Sequence, residues 1–244
     1  MNSDGARIED IEDIAIEVRE RLWPFAIDES EAIDRHWDKL RAKNPRLFNG
    51  RVFLNFERRE ETVGVRRTLR GAAAAVDYKA FLAWRDFGFP DSNVRNCFAM
   101  AALRSADGAF LLGRMNDLTA NSGKIYFPAG TPDPSDVRDG ALDLEGSVSR
   151  ELLEETGLGA DEVDFAPGWT VVFEGPRIAC MKLTRSRLRA AEIEARFQAF
   201  IALQAEPELV ALHPVFSVCD LDEERMPDFT LRYLRHALER YRAS

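Results

Sequence analysis

Arg150-Glu151-Leu152-Leu153-Glu154-Glu155-Thr156-Gly157-Leu158 places three carboxylates within five residues. Glu151 stands four residues before Glu155 and three before Glu154, so on a helix all three share one face. Leu144, Val148 and Leu152 repeat every four residues and give that helix an apolar anchoring stripe. Gly157 suits the left-handed residue that ends a helix, and Leu158 suits the apolar contact that follows it. Clustered carboxylates repel. On an arbitrary helix they form a solvated face, with Arg150 pairing to Glu154. The alternative is a hard divalent cation, which takes oxygen ligands and bridges to substrate phosphates.

The spacing decides between these. Arginine, glutamate, aliphatic, any residue, two glutamates, any residue, glycine, aliphatic is matched at each specified position, a coincidence expected in roughly one such chain in a hundred thousand. The segment resembles the core of the Nudix box. That resemblance implies an α/β (α+β) fold, an α/β/α sandwich around a mixed sheet, and metal-dependent hydrolysis of a phosphoanhydride. It implies Mg²⁺, with Mn²⁺ as a substitute, held by Glu151, Glu154 and Glu155, and a further ligand from the backbone carbonyl of Ala129 or Gly130.

The upstream half of the box departs from the pattern. The resemblance implies a glycine fourteen residues and a glutamate eight residues before Arg150, where this chain has Asp136 and Leu142. Phe127-Pro128-Ala129-Gly130 resembles the strand end and turn that open the box, and Thr131 to Gly140 then reads as an added loop. Glu145 or Asp143 is expected to replace the missing glutamate as partner of Arg150. Arg150 and Gly157 are expected to serve structure.

At 244 residues the chain suits one large domain, or a core with an appendage. A net charge of −9 disfavours a nucleic-acid surface. Cys97, Cys180 and Cys219 lack metal-ligand spacing and read as reduced thiols. The acidic N-terminus has no apolar signal region and no run long enough to span a bilayer, so a cytoplasmic protein without a membrane partner is expected.

Residues 1 to about 20 read as a loosely held acidic segment. Asp28 with Glu31 resembles a capping box for a helix bearing Ile33, Trp37 and Leu40, stopped at Asn44-Pro45. Arg51 to Arg58 reads as a strand, Glu60-Glu61 as a reversal, Thr62 to Leu69 as the returning strand, and Asp77 as the cap of a short helix. Together these make a helix-and-hairpin subdomain over residues 1–93, with the core over 94–244. In the core, strands are expected at 97–104, 109–115, 123–128, 169–174, 177–183 and 209–218, and helices at the box, 191–203 and 228–240.

The leader residues Trp37, Asn44-Pro45, Leu47-Phe48 and Tyr78-x-x-Phe81-Leu82 resemble the leader of the UDP-sugar diphosphatase branch of Nudix proteins. That implies hydrolysis of a UDP-sugar to UMP and a sugar 1-phosphate. Candidate substrate contacts are Phe48 and Tyr78 as a shelf for the base, Tyr126 beside the box, Arg114 for the diphosphate, and Thr131 and Asp133 for sugar hydroxyls. Glu206 and Glu208 stand where the family places a late catalytic glutamate, and Glu208 is preferred as base. The alternatives are a diphosphatase for coenzyme A, ADP-ribose or a dinucleotide, and a nucleotide-sensing module without turnover. A homodimer is possible. Arg58, Arg59, Arg66, Arg67 and Arg70 fall on different faces of the expected hairpin and read as solvated or intersubunit charges.

Overall fold

The structure is a computed structural model, and it describes residues 6–241 apart from positions 118 and 120. In chain order it comprises β1 (Arg7–Ile11), β2 (Asp13–Val18), α1 (Pro24–Asp28), α2 (Ser30–Lys43), β3 (Arg51–Val63), β4 (Arg66–Asp77) and α3 (Tyr78–Asp86). Then follow β5 (Asn96–Arg104), β6 (Phe110–Met115), β7 (Ile125–Tyr126), β8 (Ala129–Gly130), β9 (Val137–Arg138), β10 (Ala141–Leu142) and α4 (Leu144–Thr156). The chain closes with β11 (Val163–Phe165), β12 (Trp169–Glu174), β13 (Arg177–Ser186), α5 (Ala190–Ile201), β14 (Leu209–Val215) and α6 (Asp228–Tyr241).

Two sheets organise the chain. The larger runs β1-β12-β13-β5-β6-β14, with β11, β7 and β8 paired to β13, β6 and β5, and among the described residues its one parallel pairing is β13 with β5. Helix α4 packs on β5 and β8, α5 against β14 and α6 against β12, the mixed α/β arrangement expected from the sequence. The smaller sheet runs β3-β4-β2-β10-β9 and supports α2 and α3 around a separate core built on Trp23, Ile33, Trp37, Leu54 and Trp84.

Residues 6 to 20 differ from expectation, and residues 1–5 of that segment lie outside the described residues. Strand β1 pairs antiparallel with β12, from Arg7 opposite Phe173 to Ile11 opposite Trp169, and β2 runs parallel to β4. Ile11 and Ile16 are fully buried. In the sequence these isoleucines are interspersed with Glu9, Asp10, Glu12, Asp13 and Glu17, so no strong apolar run marks either strand. The residues from Thr131 to Gly140 also gain structure: β9 and β10 form a small hairpin that joins β2 through Ala141 opposite Glu17. Strand β3 runs past Glu60-Glu61 to Val63 and reverses at Gly64, whose φ of 63° favours glycine. Two caps also move. Helix α2 begins at Ser30 after Glu29 without a side-chain cap, and α3 receives the Asn49 Oδ1 acceptor at the Lys79 amide rather than Asp77.

The arginines of the β3–β4 hairpin are largely neutralised in place. Arg67 meets Glu9 and Glu60, Arg70 and Arg59 meet Glu61, and Arg58 lies over the Phe173 ring. Cys97 and Cys180 are buried neighbours on β5 and β13, with sulfurs 3.7 Å apart, and Cys219 is exposed. No helix among the described residues is long and apolar enough to cross a membrane.

Candidate active site

Helix α4 forms where its sequence dictates. Asp143 caps it by accepting from the Gly146 amide at 2.8 Å, Leu144, Val148 and Leu152 bury its inner stripe, and Gly157 ends it with φ 74° and ψ 10°. Glu151 and Glu155 are buried while Glu154 is exposed. The turn before the helix makes this possible. A Cβ on Gly130 would collide with the Glu151 carboxylate, so any larger residue there would push that carboxylate out of its present position.

The buried carboxylates are poorly compensated. Desolvation pushes the Glu151 carboxyl up to about 7, against the pull of Arg150 and with help from the Glu154 and Glu208 charges. Glu155 is driven well above the carboxylate range by desolvation, then by Glu208 and Glu151, although the Ala129 amide donates to it. Its Oε2 is buried without a partner. Among the described residues no three acidic, histidine or cysteine side chains form a ready-made ligand set. The fit to a divalent cation rests instead on this orphaned oxygen, on mutually repelling carboxylates in a dry setting, and on their oxygen-only chemistry.

Arg150 is held from an unexpected direction. Its Nη2 donates to both oxygens of Asp136, at 2.9 and 3.2 Å, while Nη1 meets Glu151 at 2.9 Å and Glu154 at 3.2 Å. Burial opposes the guanidinium charge, but Asp136 and the neighbouring glutamates outweigh it and raise the pKa further. Asp136, from the loop after β8, is buried and also accepts from the Asp133 amide at 3.0 Å. Neither expected partner takes this place. Asp143 is occupied as the helix cap, and Glu145 pairs with the buried Lys182, itself stacked 4.7 Å over Trp169.

Beside Gly130 a cleft of about 520 Å³ lies between the two sheets, within the size range of small-molecule sites. Helix α3 contributes Tyr78, Phe81 and Arg85; the larger sheet and its loops contribute Phe98, Tyr126, Thr131, Lys124, Arg177 and Glu208. The Tyr126 hydroxyl accepts from Asn121 at 2.9 Å. The Glu208 segment is pinned where the Asn116 amide donates to the Glu208 carbonyl at 2.8 Å and its side chain to the Pro207 carbonyl at 3.0 Å. Partial desolvation and the Glu154 charge raise the Glu208 carboxyl. Glu206 points elsewhere, to Arg46.

Three expected contacts do not reach the cleft. Phe48 is 80% exposed on the loop before β3. Arg114 lines a separate hollow with Asn116, Asp117 and Arg225, because strand alternation turns it away from Gly130. Asp133 caps its own loop by accepting from the Ser135 amide at 2.7 Å. The cleft's cations are instead Arg85, Lys124 and Arg177, which come from α3, the loop before β7 and β13. No local pattern links them.

The family described as NUDIX domain matches residues 95–236. Similar solved structures include a MutT protein from Methanosarcina mazei Go1, at 20% identity and a TM-score of 0.37, over 59% of this chain and 95% of that one. A Nudix hydrolase from M. smegmatis, RenU, is 15% identical with a TM-score of 0.38, over 59% of this chain and 85% of that one. A NUDIX hydrolase from Nitrosomonas europaea is 17% identical with a TM-score of 0.38, over 59% and 89%. No curated protein matches.

Proposed function

Because the chain belongs to the Nudix hydrolases, enzymes that cleave phosphoanhydrides, we propose that it hydrolyses a nucleoside diphosphate linked to a sugar, with a UDP-sugar as the favoured substrate. The observation that carries this reading is the composition of the cleft. Tyr78 and Phe81 from the N-terminal subdomain, with Tyr126, give an aromatic wall for a base, and Arg85 and Lys124 give cations for a diphosphate. Gly130 and Glu208 join this wall to the box glutamates.

In this reading Glu151, Glu154 and Glu155 hold the divalent cation, with a backbone carbonyl of the Ala129-Gly130 turn beside them. When bound, Mg²⁺ or Mn²⁺ polarises phosphate oxygens and makes a bound water more acidic. Glu208 accepts the proton of the attacking water; its raised pKa brings it closer to neutral pH, where a general base works best. Arg85 and Lys124 draw the diphosphate into line and take up charge that develops on its oxygens. Arg150, tied to Asp136, orients Glu151 and Glu154 without touching substrate.

The test is product analysis with Mg²⁺ and a panel of UDP-glucose, UDP-galactose, ADP-ribose, NADH and coenzyme A. UMP released from the UDP-sugars alone is the expected result. Preferential cleavage of an adenine substrate would overturn the sugar-nucleotide reading and keep the chemistry. Tight binding without turnover would identify a sensor.

The raised carboxyl pKa values set a pH dependence for the metal-free protein. A carboxyl raised in the fold binds its proton more tightly there than in the unfolded chain. The stabilisation it gives is full below the ordinary pKa of about 4.5 and is lost as pH rises through about 7. Thermal melts without metal should therefore fall from about pH 5.5 to about pH 8. Added Mg²⁺ should raise the melting temperature by a few degrees at the higher pH and far less at the lower, where protons compete for the carboxylates. An equal shift at both pH values would contradict the assignment of these carboxylates as ligands.

A further inference from the structure

At the end of the cleft away from Gly130, three strand termini meet. Strand β5 starts at Asn96, β13 starts at Arg177 and β12 ends at Glu174; register sets Asn96 opposite Arg177, and Arg177 opposite Glu174. Asn96 Oδ1 and Glu174 Oε2 are both buried without a hydrogen-bond partner. The second Glu174 oxygen lies 3.4 Å from Arg177 Nη1, and the Arg177 guanidinium is steadied 4.9 Å over the Phe89 ring. Leaving two buried acceptors unpaired forfeits their hydration without a replacement and so destabilises the fold. Such a cost persists naturally where a ligand supplies the donors.

The position of this pair fits the group attached to a diphosphate. Ala99 is opposite Gly130 in the sheet, and Asn96 lies three residues further along the same strand, about 10 Å at 3.3 Å per residue. Phe98 sits between them and faces the cleft beside Phe229, with ring centroids 5.4 Å apart. The subsite therefore combines acceptors, one cation and an aromatic floor. A uracil edge offers a single donor between two acceptors and would leave one of the two oxygens unpaired. Adjacent hydroxyls each donate and accept, so they satisfy Glu174 and Asn96 while accepting from Arg177, and the C–H face of the ring rests on Phe98.

We propose that Glu174, Asn96 and Arg177 form a diol-binding subsite that holds a sugar ring of the substrate and makes its hydroxyls a condition of efficient cleavage. The proposal rests on the sugar-nucleotide reading above, and the test separates the two. Steady-state kinetics of the wild type, Glu174→Gln and Asn96→Ala would be measured with UDP-glucose and with analogues lacking one hydroxyl of the pyranose or the 2′-hydroxyl of the ribose. In the wild type, loss of a pyranose hydroxyl is expected to lower kcat/KM about 10- to 100-fold. That penalty should shrink toward unity in both variants, whereas a merely structural role would slow parent and analogue alike. A penalty carried only by the ribose analogue, and erased by the same variants, would overturn the assignment to the attached sugar and place the nucleoside diol here.

UDP-glucose cleaved without a hydroxyl penalty, or with the same penalty in the variants, overturns the subsite and leaves the substrate reading intact. If UDP-glucose is spared and ADP-ribose is cleaved, the substrate reading fails. The subsite is then judged on ADP-ribose and its deoxy analogue: a penalty erased by Glu174→Gln supports it, and a penalty unchanged in that variant overturns it.

Discussion

Glu155→Gln is expected to lower Mg²⁺-dependent turnover by about 100- to 1000-fold and, at alkaline pH where the wild-type carboxyl is forced to ionise, to raise the melting temperature of the metal-free protein by a few degrees. The two effects have one cause. Glu155 is buried, its Oε2 has no partner, and Glu208 and Glu151 both repel its charge. A neutral amide of nearly the same shape removes that repulsion. The same change deletes an anionic ligand from the cation site. Stability gained with activity lost is the signature of a group kept for function. The checks are kinetics with saturating substrate across a Mg²⁺ titration, and melts with chelator present. A variant that is less stable without metal would show that Glu155 is already compensated in the fold. One that retains near-wild-type turnover would remove it from the metal site.

The contrast between α4 and the rest of the site explains what can be read from the sequence. Helix spacing, an apolar stripe and Gly157 are local signals, so the carboxylate face is legible in the residues alone. The Thr131–Gly140 segment reads as a loop, and the small hairpin it leads into is not legible, because β10 finds its partner in β2, more than a hundred residues earlier. The same limit hides β1, whose partner β12 is most of the chain away and whose two isoleucines are separated by the acidic pair Glu9-Asp10. Tyr78 and Glu208 stand out by their places in the chain, whereas Arg85, Lys124 and Arg177 become neighbours only when α3 and the larger sheet close on one cleft. Arg114 is suggested by its distance from Pro128 along the chain. That measure carries no information about which face of β6 it occupies.

Asp136→Ala should test whether the loop after β8 is part of the site. The residue is buried, and both its oxygens receive the Arg150 guanidinium, so removing it takes away the most buried of three carboxylate partners and should cost about 1.5–3 kcal/mol. For a chain of this size that corresponds to a fall in melting temperature of roughly 3–12 °C. Function should suffer in a distinct way. Released from Asp136, Arg150 keeps only Glu151 and Glu154 as partners, and a guanidinium drawn fully onto those oxygens competes with a cation for them. The apparent Mg²⁺ affinity should drop about 10- to 100-fold, with most of kcat recovered at high Mg²⁺. Asp136→Asn separates the two contributions: it keeps the acceptor for the Asp133 amide and the volume, and gives up the charge. It should retain more of the melting temperature than the alanine variant yet still shift the Mg²⁺ titration. Combining Asp136→Ala with Arg150→Met should cost less than the sum of the single changes, because each removes the same pair. If the Mg²⁺ dependence of Asp136→Asn matches wild type, Asp136 only holds the loop together, and Arg150 orients the carboxylates without it.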